Sequence, residues 1–353
     1  MSLLGAAFWL LVLVAGVSVA HWGADKLAHP VKKLRQRWAL GGTAGGAIVG
    51  LAVAMPEVSL TASSVVQGAS DIGLGLMVGT NVISLPLLTT IAYVASRPNE
   101  SPADGENDVS VGDPGRAQRT ADADTESSRH ALYIDSSAAT VVVLPYVAVV
   151  SLVALLTLPA PWRGLQPVDG WIMLGAYAVF LTQSVVRGRA DADPADPDWS
   201  RTEFGLALAG LVTIVVAASF IVRSTDHLAA ALGVSDLVGG LFVTAPLGLA
   251  PEAFGTWSVV RSGQVTAGSI DVFTDAAATM TLGFFPLAVV GLPIHNFRLY
   301  WVSLAFAVGL PAVFAALLYW QRHGYGLERW QVLFYDGLYL LYLAVVVGWV
   351  LPH

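Results

Sequence analysis

The chain contains no cysteine, which removes disulfides, thiolate metal centres and cysteine nucleophiles from its chemistry. Charge is scarce as well. Only 12% of its 353 residues are Asp, Glu, Lys or Arg, against roughly a quarter in an ordinary soluble domain. No EF-hand spacing occurs in its acidic stretches. What fills the chain is hydrocarbon, with 55% hydrophobic residues and a mean hydropathy of +0.66. Several uninterrupted apolar stretches approach the ~20 residues that a helix needs to cross a bilayer. This excludes a soluble enzyme, a nucleic-acid binder and a disordered chain, and predicts an all-α polytopic membrane protein.

Ten apolar segments are predicted to span, at 3–20, 39–66, 72–95, 132–158, 170–186, 204–222, 237–260, 265–291, 300–320 and 331–351. Stretches such as LLGAAFWLLVLVAG and LAVVVGWVL are apolar all round, whereas strands of a membrane barrel alternate. No basic residue precedes the first run, and Lys26, Lys32, Lys33, Arg35 and Arg37 follow it. It therefore reads as a retained helix with its N-terminus outside. With ten crossings, fifteen of the eighteen basic residues fall in loops on one side, and the other side keeps Arg163, Arg223 and Arg298. The positive-inside bias thus supports ten helices and both termini outside, in what is expected to be the plasma membrane.

Two polar stretches divide the chain. Residues 96–131 are rich in Asp, Pro, Gly and Ser and are expected to be a disordered acidic loop. Residues 188–200 form an acidic linker between a first five-helix half (1–187) and a second (201–353). Both read as solvated tethers or acidic surface.

A few carboxylates lie inside the spans. Glu57 is the single charge of 39–66, Glu252 the single charge of 237–260, and Asp275 lies within the eighth segment. A carboxylate at membrane depth costs roughly 2.5 kcal/mol or more, so such residues face polar cavities and mark ion or substrate pathways. Each glutamate follows a proline, in GLAVAMPEVSLTAS and APLGLAPEAFGTWS. Proline removes its own N–H donor and frees the carbonyl four residues back, here Ala52 and Leu247. Helices 2 and 7 are therefore predicted to be broken, as in transporters whose unwound backbone lines a cavity.

Glu57 and Glu252 are 195 positions apart, and the same offset takes Thr80 to Asp275 and Ser84 to Thr279. Because each half holds an odd number of helices, the second copy runs through the membrane in the opposite sense. The expected architecture is therefore two inverted five-helix repeats with a site at the midplane.

These strings resemble the cation/calcium antiporter superfamily, the sodium/calcium exchangers. The similarity is carried by GGAIVGLAVAMPEVSLTAS and DIGLGLMVGTNVIS in the first repeat motif (39–95), and by VGGLFVTAPLGLAPE and AGSIDVFTDAAATMTLG in the second (237–291). Gly79 to Ser84 is similar to the family's G-S-N-I-F-N string, and Met55-Pro56-Glu57 to the end of its G-T-S-L-P-E string. The resemblance implies that Glu57 and Glu252 are central cation ligands. It carries Thr80, Asn81, Ser84 and Thr279 along as further oxygen donors, and implies that helices 1 and 6 slide across the site. Val53-Ala54 and Gly248-Leu249 replace the family's Thr-Ser pairs, so four hydroxyls are missing. Asp275 stands one helical turn before the family's aspartate.

An all-oxygen set of three carboxylates, hydroxyls and freed carbonyls suits a hard cation such as Ca²⁺ or Na⁺. The expected activity is secondary antiport of Ca²⁺ or a similar cation against Na⁺ or H⁺. Partners are inorganic cations and the lipid bilayer, with no cofactor and no nucleic acid; nothing specifies an oligomeric state. Two alternatives stand beside it. One is a transport-inactive relative serving as a membrane sensor or assembly partner, favoured by the missing hydroxyls. The other is an intramembrane enzyme, disfavoured because His21, His29, His227, His295 and His353 fall near predicted helix ends, in a loop or at the terminus, away from the acids. Asp71, Asp236 and Asp271 are secondary candidates along the ion path.

Overall fold

A computed structural model describes residues 3–38, 42–97, 131–134, 139–157, 164–187, 200–263, 265–320 and 326–351. The helices are α1 (Leu3–Arg37), α2 (Gly42–Val53), α3 (Met55–Val66), α4 (Ser70–Ala95), α5 (Leu144–Thr157), α6 (Pro167–Arg187), α7 (Arg201–Leu232), α8 (Asp236–Gly239), α9 (Ala245–Gly248), α10 (Ala250–Arg261), α11 (Val265–Ala278), α12 (Phe285–Val289), α13 (Phe297–Trp320) and α14 (Arg329–Val345). Single π-helical turns join α8 to α9, α11 to α12, and flank α5 and α14. Among the described residues, nine helical stretches are long and apolar enough to cross a membrane. The 21-residue α6, at about 1.5 Å per residue, is long enough to be a tenth. The chain is a predominantly helical, multi-pass integral membrane protein.

Solvent exposure follows this reading. Leu4, Phe8, Leu11, Leu208, Val212 and Val347 are exposed, as apolar side chains facing lipid should be. Most of α4 is buried, so this helix forms the centre. Its glycines admit the second half: a Cβ on Gly79 would stand 2.8 Å from the Ala245 Cβ. The relation recurs with the halves exchanged, since a Cβ on Gly50 would stand 3.3 Å from the Thr274 Oγ1, and 50 and 79 map onto 245 and 274 by the offset of 195.

α1 and α7 pack as an antiparallel pair at the edge. Trp9 stacks on His227 at one end, with centroids 4.1 Å apart, and Lys33 pairs with Glu203 at the other. Between them Gly23 and Gly210 touch backbone to backbone. A Cβ on Gly23 would lie 2.6 Å from the Gly210 carbonyl oxygen, and one on Gly210 2.5 Å from that of Gly23. Any larger residue would separate the two helices.

Several boundaries differ from the sequence expectation. The first segment does not end near residue 20 but continues as one helix to Arg37. The sixth runs from Arg201 to Leu232, beginning at Ser200, whose hydroxyl accepts from the Thr202 N–H at 3.2 Å. Ser200 is thus a helix cap and not linker; residues 188–199 lie outside the described residues. At about 52 Å and 48 Å, α1 and α7 exceed the ~30 Å hydrocarbon core. The segment placed at 132–158 opens as a strand: Ala131–Tyr133 pairs antiparallel with Gly326–Glu328, and helical structure starts at Ala139. Of the acidic loop expected at 96–131, residues 98–130 lie outside the described residues, while Ala131 is in that strand.

Candidate cation site

Pro56 and Pro251 break their helices in the same way. α2 and α3 are separated by one residue, Ala54, at φ −74° and ψ −5°; α9 and α10 are separated by Leu249 at φ −78° and ψ −13°. Both ψ angles lie well away from the helical value near −42°. The ladder holds on either side of each turn, with Ala54 N–H donating to Gly50 at 2.9 Å and Leu249 N–H to Ala245 at 3.2 Å. The interruption is confined to the bond that proline cannot make, and each glutamate opens the helix that follows.

Those turns bring the acids to one place. Glu57, Glu252 and Asp275 line a single cavity of about 320 Å³, together with Pro56, Pro251 and Asp271. Glu57 is 7% exposed and Asp275 likewise 7%. Glu57 Oε2 and Asp275 Oδ1 have no hydrogen-bond partner among the described residues. A buried carboxylate oxygen without a donor is costly, so these two oxygens call for a partner that the described residues do not supply. Among the described residues no three acidic or histidine side chains stand at metal-ligating spacing.

The cavity has a direction. From the acids it follows Thr256 and Val259 along α10, Asp271 and Gly268 back along α11, and Ala24, Ala28 and Lys32 along α1. All three paths run toward the membrane face at which α1 ends in Arg37 and α10 in Arg261. On α1 the lining residues Val17, Ala20, His21, Ala24, Asp25, Ala28 and Lys32 recur every three or four positions, one helical face.

The other predicted site residues lie elsewhere. Thr80, Asn81, Ser84 and Thr279 are buried, but they form a polar layer outside the cavity lining. Asn81 Nδ2 donates to Thr279 Oγ1 at 3.2 Å and to the Met77 carbonyl at 2.8 Å. Its Oδ1 accepts from the Tyr146 hydroxyl at 3.1 Å. Asn81 therefore ties α4 to α5 and to Thr279 just beyond α11, with both amide hydrogens donating to protein and Oδ1 accepting one bond. Ser84 Oγ has no partner among the described residues. Ala52 and Leu247 do not reach the cavity wall; the next residues, Val53 and Gly248, do. Asp71 and Asp236 sit at the starts of α4 and α8, away from the cavity, whereas Asp271 lines it.

Sequence reasoning missed His21, Asp25 and Lys32. Ending the first span at residue 20 put them in a loop and set His21 aside from the acids. The structure keeps them on the helix, where His21 faces the acidic cavity. The three-to-four-residue spacing of small and polar residues from Val17 to Lys32 was the signal available.

Solved structures with this fold include an H⁺/Ca²⁺ exchanger, CAX, at TM-score 0.67 and 14% identity, covering 98% of this chain and 81% of that one. The sodium-calcium exchanger NCX_Mj superposes at TM-score 0.60 and 17% identity, covering 97% of this chain and 99% of that one. No curated protein matches the chain. A family model described as sodium/calcium exchanger protein matches residues 8–186 and 202–348, and the chain belongs to that family.

Proposed function

We propose that the protein is a secondary active antiporter that exchanges Ca²⁺ or a similar hard cation for Na⁺ or H⁺ by alternating access. One observation carries this reading: two proline-broken helices set Glu57 and Glu252 around one cavity, with Asp275 beside them and carboxylate oxygens lacking protein donors. Oxygen-only ligands suit Ca²⁺ and Na⁺, and carboxylates exchange protons at the same oxygens. A cavity reaching one face of the membrane corresponds to one end state of an alternating-access cycle. The two halves act as inverted repeats, a reading supported by the matched breaks at Ala54 and Leu249 and the exchanged contacts of Gly50 and Gly79. The α1 and α7 pair, held together at both ends, moves as a unit across the site. With most basic residues on the Arg37 side, that face is cytoplasmic and both termini are outside, in a plasma membrane.

Ca²⁺ uptake into proteoliposomes under imposed Na⁺, H⁺ or K⁺ gradients tests the reading. Uptake driven by a Na⁺ or H⁺ gradient and collapsed by dissipating it is expected. Cation binding without flux under every gradient would instead identify the transport-inactive sensor.

A further inference from the structure

Between α3 and α7, toward the membrane face opposite Arg37, four polar side chains are joined by hydrogen bonds that take no part in the cation cavity. Ser63 is buried on α3, and its hydroxyl donates to Ser219 Oγ on α7 at 3.1 Å. Gln67, which caps the end of α3, spends both amide hydrogens here: one goes to Ser63 Oγ at 2.8 Å and the other to the Ser219 carbonyl oxygen at 3.3 Å. Its Oε1 accepts from Arg223 Nε at 3.2 Å. Gly68 follows at φ +73°, a left-handed turn that glycine accepts without strain, so α3 stops with Gln67 set against α7.

The repeat shows what these bonds do. At the offset of 195, α3 corresponds to α10 and α7 to α1, and Ser219 and Arg223 correspond to Ala24 and Ala28. Ala24 and Ala28 line the open cavity, as does Thr256 on α10. Thr61, the counterpart of Thr256, is 0% exposed, so the arm opposite Arg37 is packed shut while the arm toward Arg37 is open. The methyl groups of Ala24 and Ala28 can form no hydrogen bonds like those of Ser219 and Arg223. In the exchanged conformation, α1 would therefore close against α10 without these bonds.

We propose that Gln67 and Arg223 are positioning residues of the exchange: they latch α7 to α3, keep the arm opposite Arg37 closed, and bias the protein toward the conformation open at the Arg37 face. The proposal deepens the antiport reading and rests on its alternating access. Sliding α7 breaks the bonds that cross to α3 and leaves an amide and a guanidinium to find new partners, a cost borne in only one direction of the exchange.

Because the chain has no cysteine, single reporters can read each arm. Full-length Thr61→Cys and Ala28→Cys proteins are reconstituted in oriented vesicles without an ion gradient. A membrane-impermeant methanethiosulfonate reagent is then applied from the face opposite Arg37 or from the Arg37 face, respectively. Gln67→Leu should raise the Thr61→Cys modification rate about tenfold and lower that of Ala28→Cys. Arg223→Met, which removes one bond, should raise the former about threefold, and the double substitution should do no more than Gln67→Leu alone, since the bond is shared. Rates unchanged by Gln67→Leu would overturn the latch. So would a rise at both reporters, which marks general loosening, or a Thr61→Cys thiol that stays unreactive in every variant. The reporters need no transport: opposite shifts at the two positions without coupled flux would keep the latch and refute antiport, whereas coupled flux with unshifted reporters would do the reverse.

Discussion

Ala54 and Leu249 turn their helices at nearly the same dihedral angles, yet the cavity between those turns draws its charge unequally from the two halves. At the offset of 195, Asp275 corresponds to Thr80, Asp271 to Leu76, His21 to Val216 and Asp25 to Phe220. His21, Asp25, Asp271 and Asp275 line the cavity; Val216 and Phe220, their counterparts on α7, are about half exposed. A shared backbone thus supplies two possible arms of a pathway, while carboxylates beyond the two glutamates line only one of them: Ala24, Ala28 and Lys32 correspond to Ser219, Arg223 and His227. Under the exchange of conformations proposed above, the arm toward the Arg37 face attracts cations through carboxylates, and the opposite arm carries hydroxyls and Arg223 at the corresponding positions.

The two halves share one element, the glutamate that follows each proline. Glu57→Gln or Glu252→Gln should each lower cation uptake by about 100-fold, the loss of roughly 3 kcal/mol of charged-ligand energy, with the Tm of the detergent-solubilised protein preserved. If one substitution proved silent, only one half would hold a ligand. Moving the third acid sharpens the point. Asp275→Thr should raise the half-saturating cation concentration by about tenfold, and adding Thr80→Asp should recover part of it, because the two positions correspond by the repeat; no recovery would show that the halves are not interchangeable there.

Gly23→Ala tests the backbone contact between α1 and α7. With only 2.6 Å available before the Gly210 carbonyl oxygen, the added methyl should cost about 1–3 kcal/mol, read as a lower Tm, and should slow transport more than it weakens binding. The smallest effect belongs to the charged arm. Asp271→Asn should raise half-saturation about threefold for cation added at the Arg37 face and leave it unchanged from the other, measured with oriented vesicles at low salt, where such attraction is strongest.

Much of the fold was legible because proline and membrane-buried charge are costly and therefore conspicuous. Pro56-Glu57 and Pro251-Glu252 announced both breaks, and apolar run length announced the crossings. What escaped depends on contacts between distant segments. Asp25 and Lys26 look like the end of a span, yet α1 continues to Arg37 along α7, through Gly23 against Gly210 and Lys33 with Glu203. The pairing of Ala131–Tyr133 with Gly326–Glu328 joins segments nearly 200 residues apart and leaves no local signature. Asn81 reads as a ligand in its string; that its amide also bridges Tyr146 and Thr279 depends on where those distant residues are placed. Freed carbonyls were inferred at Ala52 and Leu247, whereas the direction of each turn presents Val53 and Gly248 to the cavity, and that direction depends on packing.

The absence of cysteine makes the central geometry directly measurable. In Glu57→Cys/Glu252→Cys, Cd²⁺ protection of the two thiols from a membrane-impermeant methanethiosulfonate reagent reports whether they share one water-filled space. The account predicts that both thiols react and that the double variant is protected at Cd²⁺ concentrations at least about tenfold below those needed by either single variant, through bridging by two thiolates. Thiols that stay unreactive, or that bind Cd²⁺ no more tightly together than apart, would contradict it.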